Sequence, residues 1–312
     1  MSKVYTCTMN LAIDLFIETE ELLPRVVNRT IDDDIQANGK GVNVSLVLKM
    51  LGVSSTALGF SGGFTGNYIE AFLKEKKIAT DFVPVEGLTR INVFTQVNAE
   101  NTEYKLVNQG PEIQGENTQA LLEKISQLEA DDYLCVSGSL PRGVPPTILV
   151  EISRICYEIG VHLIIDSSYK EILDCLKYQP FLLKPNDEEL SEWFGKELLT
   201  EDEYIAYGEK LIAAGAKNVL LSLGGDGAIF INQDTCVKGN APTGRVVNTA
   251  CAGDTLLGTF LAGLIQGQDT AGTLRRSLAA GSSTAFQKGL TDFSDVPILE
   301  EQIKITRRKE ND

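Results

Sequence analysis

The sequence predicts an α/β fold: a mostly parallel sheet covered by helices on both faces, with a small β lid. Three observations support it. Short apolar runs alternate with helix-length stretches along most of the 312 residues, the rhythm of parallel strands joined by crossover helices. Many runs are apolar throughout, as strands buried on both faces are. Two stretches, about 11–37 and 88–110, break the rhythm with short alternating segments that read as antiparallel strands outside the main sheet. The chain reads as one domain over 1–312, with those stretches as lid segments over the carboxyl ends of the parallel strands, where open α/β sheets bind ligands.

The elements follow in order. "VYTCTM" is a strand, "GVNVSLVLKMLG" a helix, "STALGF" a strand and "NYIEAFLKEKK" a helix. "INVFTQV" and "TEYKLV" supply lid strands, and "DYLCVSG" returns to the main sheet. In "PPTILVEISRICYEIG", Pro145 and Pro146 suit a helix start and Gly160 a stop, with Leu149, Ile152, Ile155 and Ile159 on one stripe. "HLIID", "PFLLK" and "NVLLSL" are further strands, and "VVNTACAGDTLLGTFLAGLI" ends in a long apolar helix. No internal repeat, linker or low-complexity tract interrupts them.

Charge and composition exclude several functions. With 28 Lys and Arg against 43 Asp and Glu, the formal charge of -15 repels nucleic acid and anionic lipid. Six scattered cysteines without a C-x-x-C pair fit a reducing cytoplasm. No leader opens the chain and no apolar run approaches the roughly 20 residues needed to span a bilayer, so a cytoplasmic protein is expected. The only histidine, His162, lies in a strand and reads as structural. Acid and base chemistry then falls to carboxylates, lysines or the main chain.

Glycine clusters mark the site. "ANGKGVN" is not a Walker loop, because Gly41 follows Lys40 where Ser or Thr is required. "GFSGGFTG" and "SLGGDGA" lack the dinucleotide spacing, yet both follow strands, where glycine lets main-chain N–H groups face an anion. "CAGD" puts small residues and free N–H groups at the start of an apolar helix, another place for an anion. Asp254 there either caps the helix or accepts the proton of a hydroxyl attacking a phosphate held by those N–H groups.

In their order, "MNLAID", "NGKGVNVSLVLKMLG", "LGFSGGFTG", "TRINV", "SGSLPRG", "KPNDEEL", "SLGGDGA" and "CAGDTLLGTFLAG" resemble the PfkB-type sugar kinases of the ribokinase fold, most closely the 1-phosphofructokinase branch. The resemblance covers nearly the whole chain. It implies a phosphotransferase using ATP and Mg2+ on a phosphosugar hydroxyl, with fructose 1-phosphate converted to fructose 1,6-bisphosphate. It implies Asp254 as base and Gly253 in the anion hole. Asp14, Gly39, Lys40, Asn43 and Ser139 would hold the sugar phosphate, and Arg29 and Arg90 in the lid would fork onto its phosphate. Lys184, Asn186, Ser222, Gly224 and Gly227 would hold ATP, with Glu189 acting on the metal through water. Capping explains Asn186 and Glu189 equally. Tagatose 6-phosphate kinase, a sugar-phosphate sensor without catalysis, and a nicotinamide oxidoreductase are the alternatives, and a lid edge could pair two copies into a homodimer.

Three positions depart from the family pattern: Leu11 replaces Pro, Asn38 the first Gly of G-G-K-G, and Cys251 the first Gly of G-A-G-D. Leu11 would change loop stiffness, and Asn38 could tolerate positive φ. Cys251 could tilt an N–H donor, at a cost of roughly 10² to 10³ in rate, and would be open to oxidation.

Overall fold

Successive residues of the apolar strands are buried on opposite faces, and two helical layers cover them. The structure, a computed structural model, describes residues 2–197 and 200–308. Leu134, Val136, Leu163, Ile165 and Leu183 pack in one cluster with Leu149 and Ile152 of helix Ile148–Ile159. Their neighbours Cys135, Ile164 and Leu182 pack in another with Leu257, Phe260 and Leu261 of helix Ala252–Ile265. This is the two-sided burial that the unbroken apolar runs require.

Val4–Thr8 lies between Thr56–Gly62 and Tyr133–Ser137, all parallel. His162–Asp166, Leu182–Leu183 and Asn218–Ser222 continue the parallel order. Ala228–Asn232, Cys236–Gly239 and Ile305–Arg307 then extend one end antiparallel, and the short strands Ala79–Thr80 and Val83–Val85 pair with Thr56–Gly62 at the other, giving an eleven-stranded sheet among the described residues. Gly160, at φ 89, stops helix Ile148–Ile159 as expected. Among the described residues, no helix is long and apolar enough to cross a membrane.

Helix Lys40–Met50 is buried from Gly41 through Leu48, between the sheet and helix Ala252–Ile265. Its start needs glycine. A Cβ on Gly41 would lie 2.6 Å from Thr8 Oγ1, and one on Gly39, at φ 150, 2.7 Å from Thr8 Cγ2. Farther along, Gly258 meets Val47 so closely that a Cβ would stand 2.9 Å from it. The helices therefore touch backbone to side chain. Trp193, on helix Asp187–Phe194, is 1% exposed, and its Nε1 donates to Ser168 O at 3.0 Å.

The two irregular stretches form one four-stranded sheet, in the order Asp32–Asn38, Ala12–Thr19, Arg90–Val97, Thr102–Leu106. They are not antiparallel throughout: the two hairpins join by a parallel pair from Ala12↔Arg90 to Thr19↔Val97. Both inner strands leave the carboxyl end of parallel main-sheet strands, Val4–Thr8 and Val83–Val85, so they run outward in the same direction. Cross-strand register gives the sheet two faces. Gln36, Asp14 and Asn92 align on one, and Ile35, Leu15, Val93 and Leu106 on the other.

Candidate active site

Asp166 ends strand His162–Asp166 and is fully buried. Lys184 Nζ lies 3.1 Å from its Oδ1 and Lys40 Nζ 3.3 Å. Burial pushes this carboxyl up, but Lys184 and Lys40 outweigh it and hold Asp166 below its ordinary value. Lys40 is the first residue of its helix, where the dipole disfavours a cation. Burial lowers its affinity for a proton; Asp166, Asp254 and Glu189 raise it further, and the net direction is upward.

Asp254 is not the cap of its helix. Cys251 occupies that place at φ 63, and Asp254 stands in the first turn, 6% exposed. Its Oδ2 accepts from Asn43 Nδ2 at 2.8 Å. Burial first and the charge of Asp166 second push its carboxyl up to about 6, against the opposing pull of Lys40, Asn43 and Lys184. The N–H groups of Gly253 and Asp254 have no acceptor among the described residues, as the first turn of a helix dictates. A Cβ on Gly253 would lie 3.6 Å from Lys184 Nζ. Free donors, two ammonium groups and a carboxylate poised near neutral pH thus converge. Such a set can hold a phosphoryl group and take a proton from its attacker.

Cys251 takes the positive φ that glycine would have taken. Burial, then Asp254 and Asp14, push its thiol up to about 12. It is a protonated thiol at neutral pH, and the expected sensitivity to oxidation does not follow, because thiolate is the reactive form. Asn38 has no positive φ: it ends an extended strand and acts through its side chain, which donates to Asp14 Oδ2 and accepts from Gly39 N and Asn43 Nδ2. Leu11 is buried, packed with Ile13 and Val42.

Asp14 also accepts from Asn92 Nδ2 at 2.8 Å. Burial raises its carboxyl despite Asn92, Asn38 and Arg90. Arg90 donates to the carbonyls of Asn108 and Asn10, and Asn10 Nδ2 donates to Ser139 Oγ at 3.3 Å. Four buried polar atoms lack any partner here: Thr8 Oγ1, Asn10 Oδ1, Arg90 Nε and Asp166 Oδ2. Orphans gathered in one place point to a ligand. Arg29 is the exception. It is exposed in the loop after strand Ala12–Thr19 and makes no ion pair among the described residues.

Beyond Gly253 lies a cleft of about 760 Å³, lined by Asn186, Ser222, Gly224, Gly227, Gly253 and Phe286 among others. Gly227, at φ 98, lets the chain turn where a Cβ would lie 1.9 Å from Gly239 O. Asn186 and Glu189 form a capping box: Glu189 N donates to Asn186 Oδ1 at 2.7 Å and Asn186 N to Glu189 Oε2 at 2.9 Å. Capping, one of the two readings of that pair, is present. Sequence reasoning missed Asp166, Asn10 and Asn92. An acid ending the apolar run "HLIID" was the one available signal for Asp166.

Fold and cleft together define a phosphotransferase that acts on an alcohol group. The chain belongs to the pfkB family of carbohydrate kinases, whose profile matches residues 5–297. It is 50% identical to D-tagatose-1-phosphate kinase of Bacillus licheniformis over 97% of this chain and 99% of that one. It is 36% identical to 1-phosphofructokinase of Bacillus subtilis, with the same coverage. The structure of phosphofructokinase-2 from Escherichia coli in complex with fructose-6-phosphate superposes with a TM-score of 0.88 at 27% identity, covering 96% of this chain and 99% of that one. The chain is a sugar-phosphate kinase, with ATP as the co-substrate that the family implies.

Asp254 also links stability to pH. Its folded value, about 6 against an ordinary 3.8, means the folded state holds the proton more tightly, so stability falls as pH rises from about 4 to 6. Asp254→Asn should therefore unfold at higher urea than the parent at pH 8, by on the order of 1–3 kcal/mol. The gap should close toward pH 4. A variant equal to the parent at pH 8 would show that ionised Asp254 costs the fold nothing.

Proposed function

We propose that the chain transfers the γ-phosphoryl group of ATP to the 6-hydroxyl of a ketohexose 1-phosphate. D-fructose 1-phosphate is the substrate expected from the sequence motifs. D-tagatose 1-phosphate stands ahead of it, because the relative of that name shares 50% identity and the 1-phosphofructokinase 36%. The observation that carries the reading is the pairing of Asp254, raised to about 6, with the unpaired N–H groups of Gly253 and Asp254.

In this reading Asp14 receives sugar hydroxyls, and Gly39, Asn43 and Ser139 line the pocket. Lys40 and Arg90 meet the 1-phosphate, and Arg29 reaches it only when the small sheet moves. That sheet is the lid of a single kinase domain. A cavity of about 510 Å³ separates its polar face, at Phe16, Gln36 and Phe94, from Val247 and Asn248 near the start of the Asp254 helix, and closure would fill this gap. ATP lies in the glycine-lined cleft between Asn186, Ser222, Gly224 and Gly227, with Lys184 at its phosphates. The 6-hydroxyl loses its proton to Asp254 as its oxygen bonds to the γ-phosphorus, and ADP leaves. Gly253 N–H and Lys184 face the charge on the transferring group.

Magnesium fits the donor set: Mg2+ typically binds through one or two carboxylates, substrate phosphates and waters, and the Glu189 carboxylate stands near enough to act on Lys40. Glu189 would face it through water, and the ion would neutralise charge on the phosphates. The acidic chain and six free thiols fit the cytoplasm. Two copies would pair through the apolar outer face of the lid, where Ile35 is 50% and Leu106 61% exposed, rather than through its edge, where Asp32, Asp33 and Asp34 stand.

ADP release measured with saturating ATP should give kcat/KM for tagatose 1-phosphate above fructose 1-phosphate. Both should exceed tagatose 6-phosphate and fructose 6-phosphate by tenfold or more, about 1.4 kcal/mol. A preference for either 6-phosphate would overturn the substrate reading. Asp254→Asn should keep ATP binding and lose roughly 10² to 10⁴ in kcat; near-normal turnover would remove Asp254 from the chemistry. By light scattering the parent should be at least dimeric and Ile35→Glu/Leu106→Glu monomeric; a monomeric parent removes the lid contact.

A further inference from the structure

Asn38 stands where the family pattern has glycine, and its side chain joins the two functional carboxylates. Asn92 and Asn38 donate to the two oxygens of Asp14. Asn38 Oδ1 accepts from Asn43 Nδ2 at 2.9 Å, and Asn43 Nδ2 donates onward to Asp254 Oδ2 at 2.8 Å. This chain of side chains has only one consistent polarity. A backbone N–H can only donate, so Gly39 N, 2.5 Å from Asn38 Oδ1, fixes which end of that amide is oxygen. Its nitrogen must then face Asp14. At the far end, Asn108 N donates to Asn92 Oδ1 at 3.1 Å and fixes that amide in the same way.

We propose that Asn38 is a positioning residue for the proposed kinase reaction: it holds the Asn43 amide with its nitrogen toward Asp254, so that one oxygen of the base is engaged and the other is left for the substrate hydroxyl. The proposal rests on Asp254 being the base. With glycine at 38, Asn43 would keep only the sulfur of Cys251, 3.2 Å away, a weak acceptor, beside Asp254. Its amide would be free to turn its oxygen toward the carboxylate, which favours the protonated acid.

Several charged groups face Asp254: Asp166 from strand His162–Asp166, Lys184 from the turn after Leu182–Leu183, and Lys40 from the helix that carries Asn43. The Cys251 thiol flanks it, Asp14 acts on that thiol, and Glu189 acts on Lys40. Asn38→Gly leaves all of them in place and removes two contacts, the anchor of the Asn43 amide and the donor to Asp14 Oδ2.

The test is the pH dependence of Asn38→Gly beside the parent. The acid limb of kcat should move up by about half a pH unit or more, so that turnover falls roughly twofold or more at pH 6 and matches the parent at pH 8.5. A residue that only stiffens the loop would lower turnover by the same factor at every pH. Carbon-13 NMR of the Asp254 carboxyl, identified by its loss in Asp254→Asn, should show the same upward move without substrate. Asn38→Ser, whose hydroxyl is too short to span Asp14 and Asn43, should behave alike and serves if the glycine variant fails to fold by circular dichroism. An unmoved acid limb and unmoved carboxyl titration, or a loss uniform in pH, overturns the proposal. If the parent phosphorylates no ketohexose phosphate, the proposed function falls, and the carboxyl titration still decides the role of Asn38.

Discussion

Asp166 and Asp254 are both buried and each feels the other's charge, and the rest of the site is arranged around their mutual repulsion. Two buried carboxylates cannot both ionise at an ordinary pH without compensation. Lys184 and Lys40 both reach Asp166 Oδ1, so the compensation goes to one partner first. Asp166 is held down and Asp254 is pushed up to about 6. Pushing two neighbouring acids apart gives one a structural charge and the other a proton affinity suited to exchange. It also explains a cation in the first turn of helix Lys40–Met50, where the helix itself disfavours it: Lys40 answers to Asp166 rather than to the dipole.

The helices make this arrangement rigid. Gly258 against Val47 brings helix Ala252–Ile265 onto helix Lys40–Met50, which sets Asn43 beside Asp254. Gly41 against Thr8 seats the second helix on the strand end. A larger side chain at either contact would separate groups that the chemistry needs within hydrogen-bond reach.

Much of this was legible in the sequence. Apolar runs without alternation gave away strands buried on both faces, and of the two glycine clusters that follow strands "SLGGDGA" lines the cleft beyond Gly253 whereas none of the glycines of "GFSGGFTG" does; each pattern depends on neighbours in sequence. Gly253, Asn186, Ser222, Gly224 and Gly227 do meet around one cleft, with Asp254 next to Gly253 in the same first helical turn. What stayed hidden depends on distant pairing. The parallel junction of Ala12–Thr19 with Arg90–Val97 joins segments more than seventy residues apart. Asp166 acquires its meaning only when Lys40 and Lys184 arrive from other elements. Asn38 read as a residue chosen for backbone tolerance, whereas its backbone is ordinary and its amide is what counts.

Trp193 is the only tryptophan in the chain, buried on a short helix whose cap, Asn186, lines the cleft beyond Gly253. Its indole N–H is tied to Ser168 O, just beyond the strand that ends in Asp166. All indole emission therefore comes from one buried fluorophore on the helix that Asn186 caps. The state of that helix can be followed optically in the unmodified protein, with no dye or engineered label, and in real time on a stopped-flow instrument.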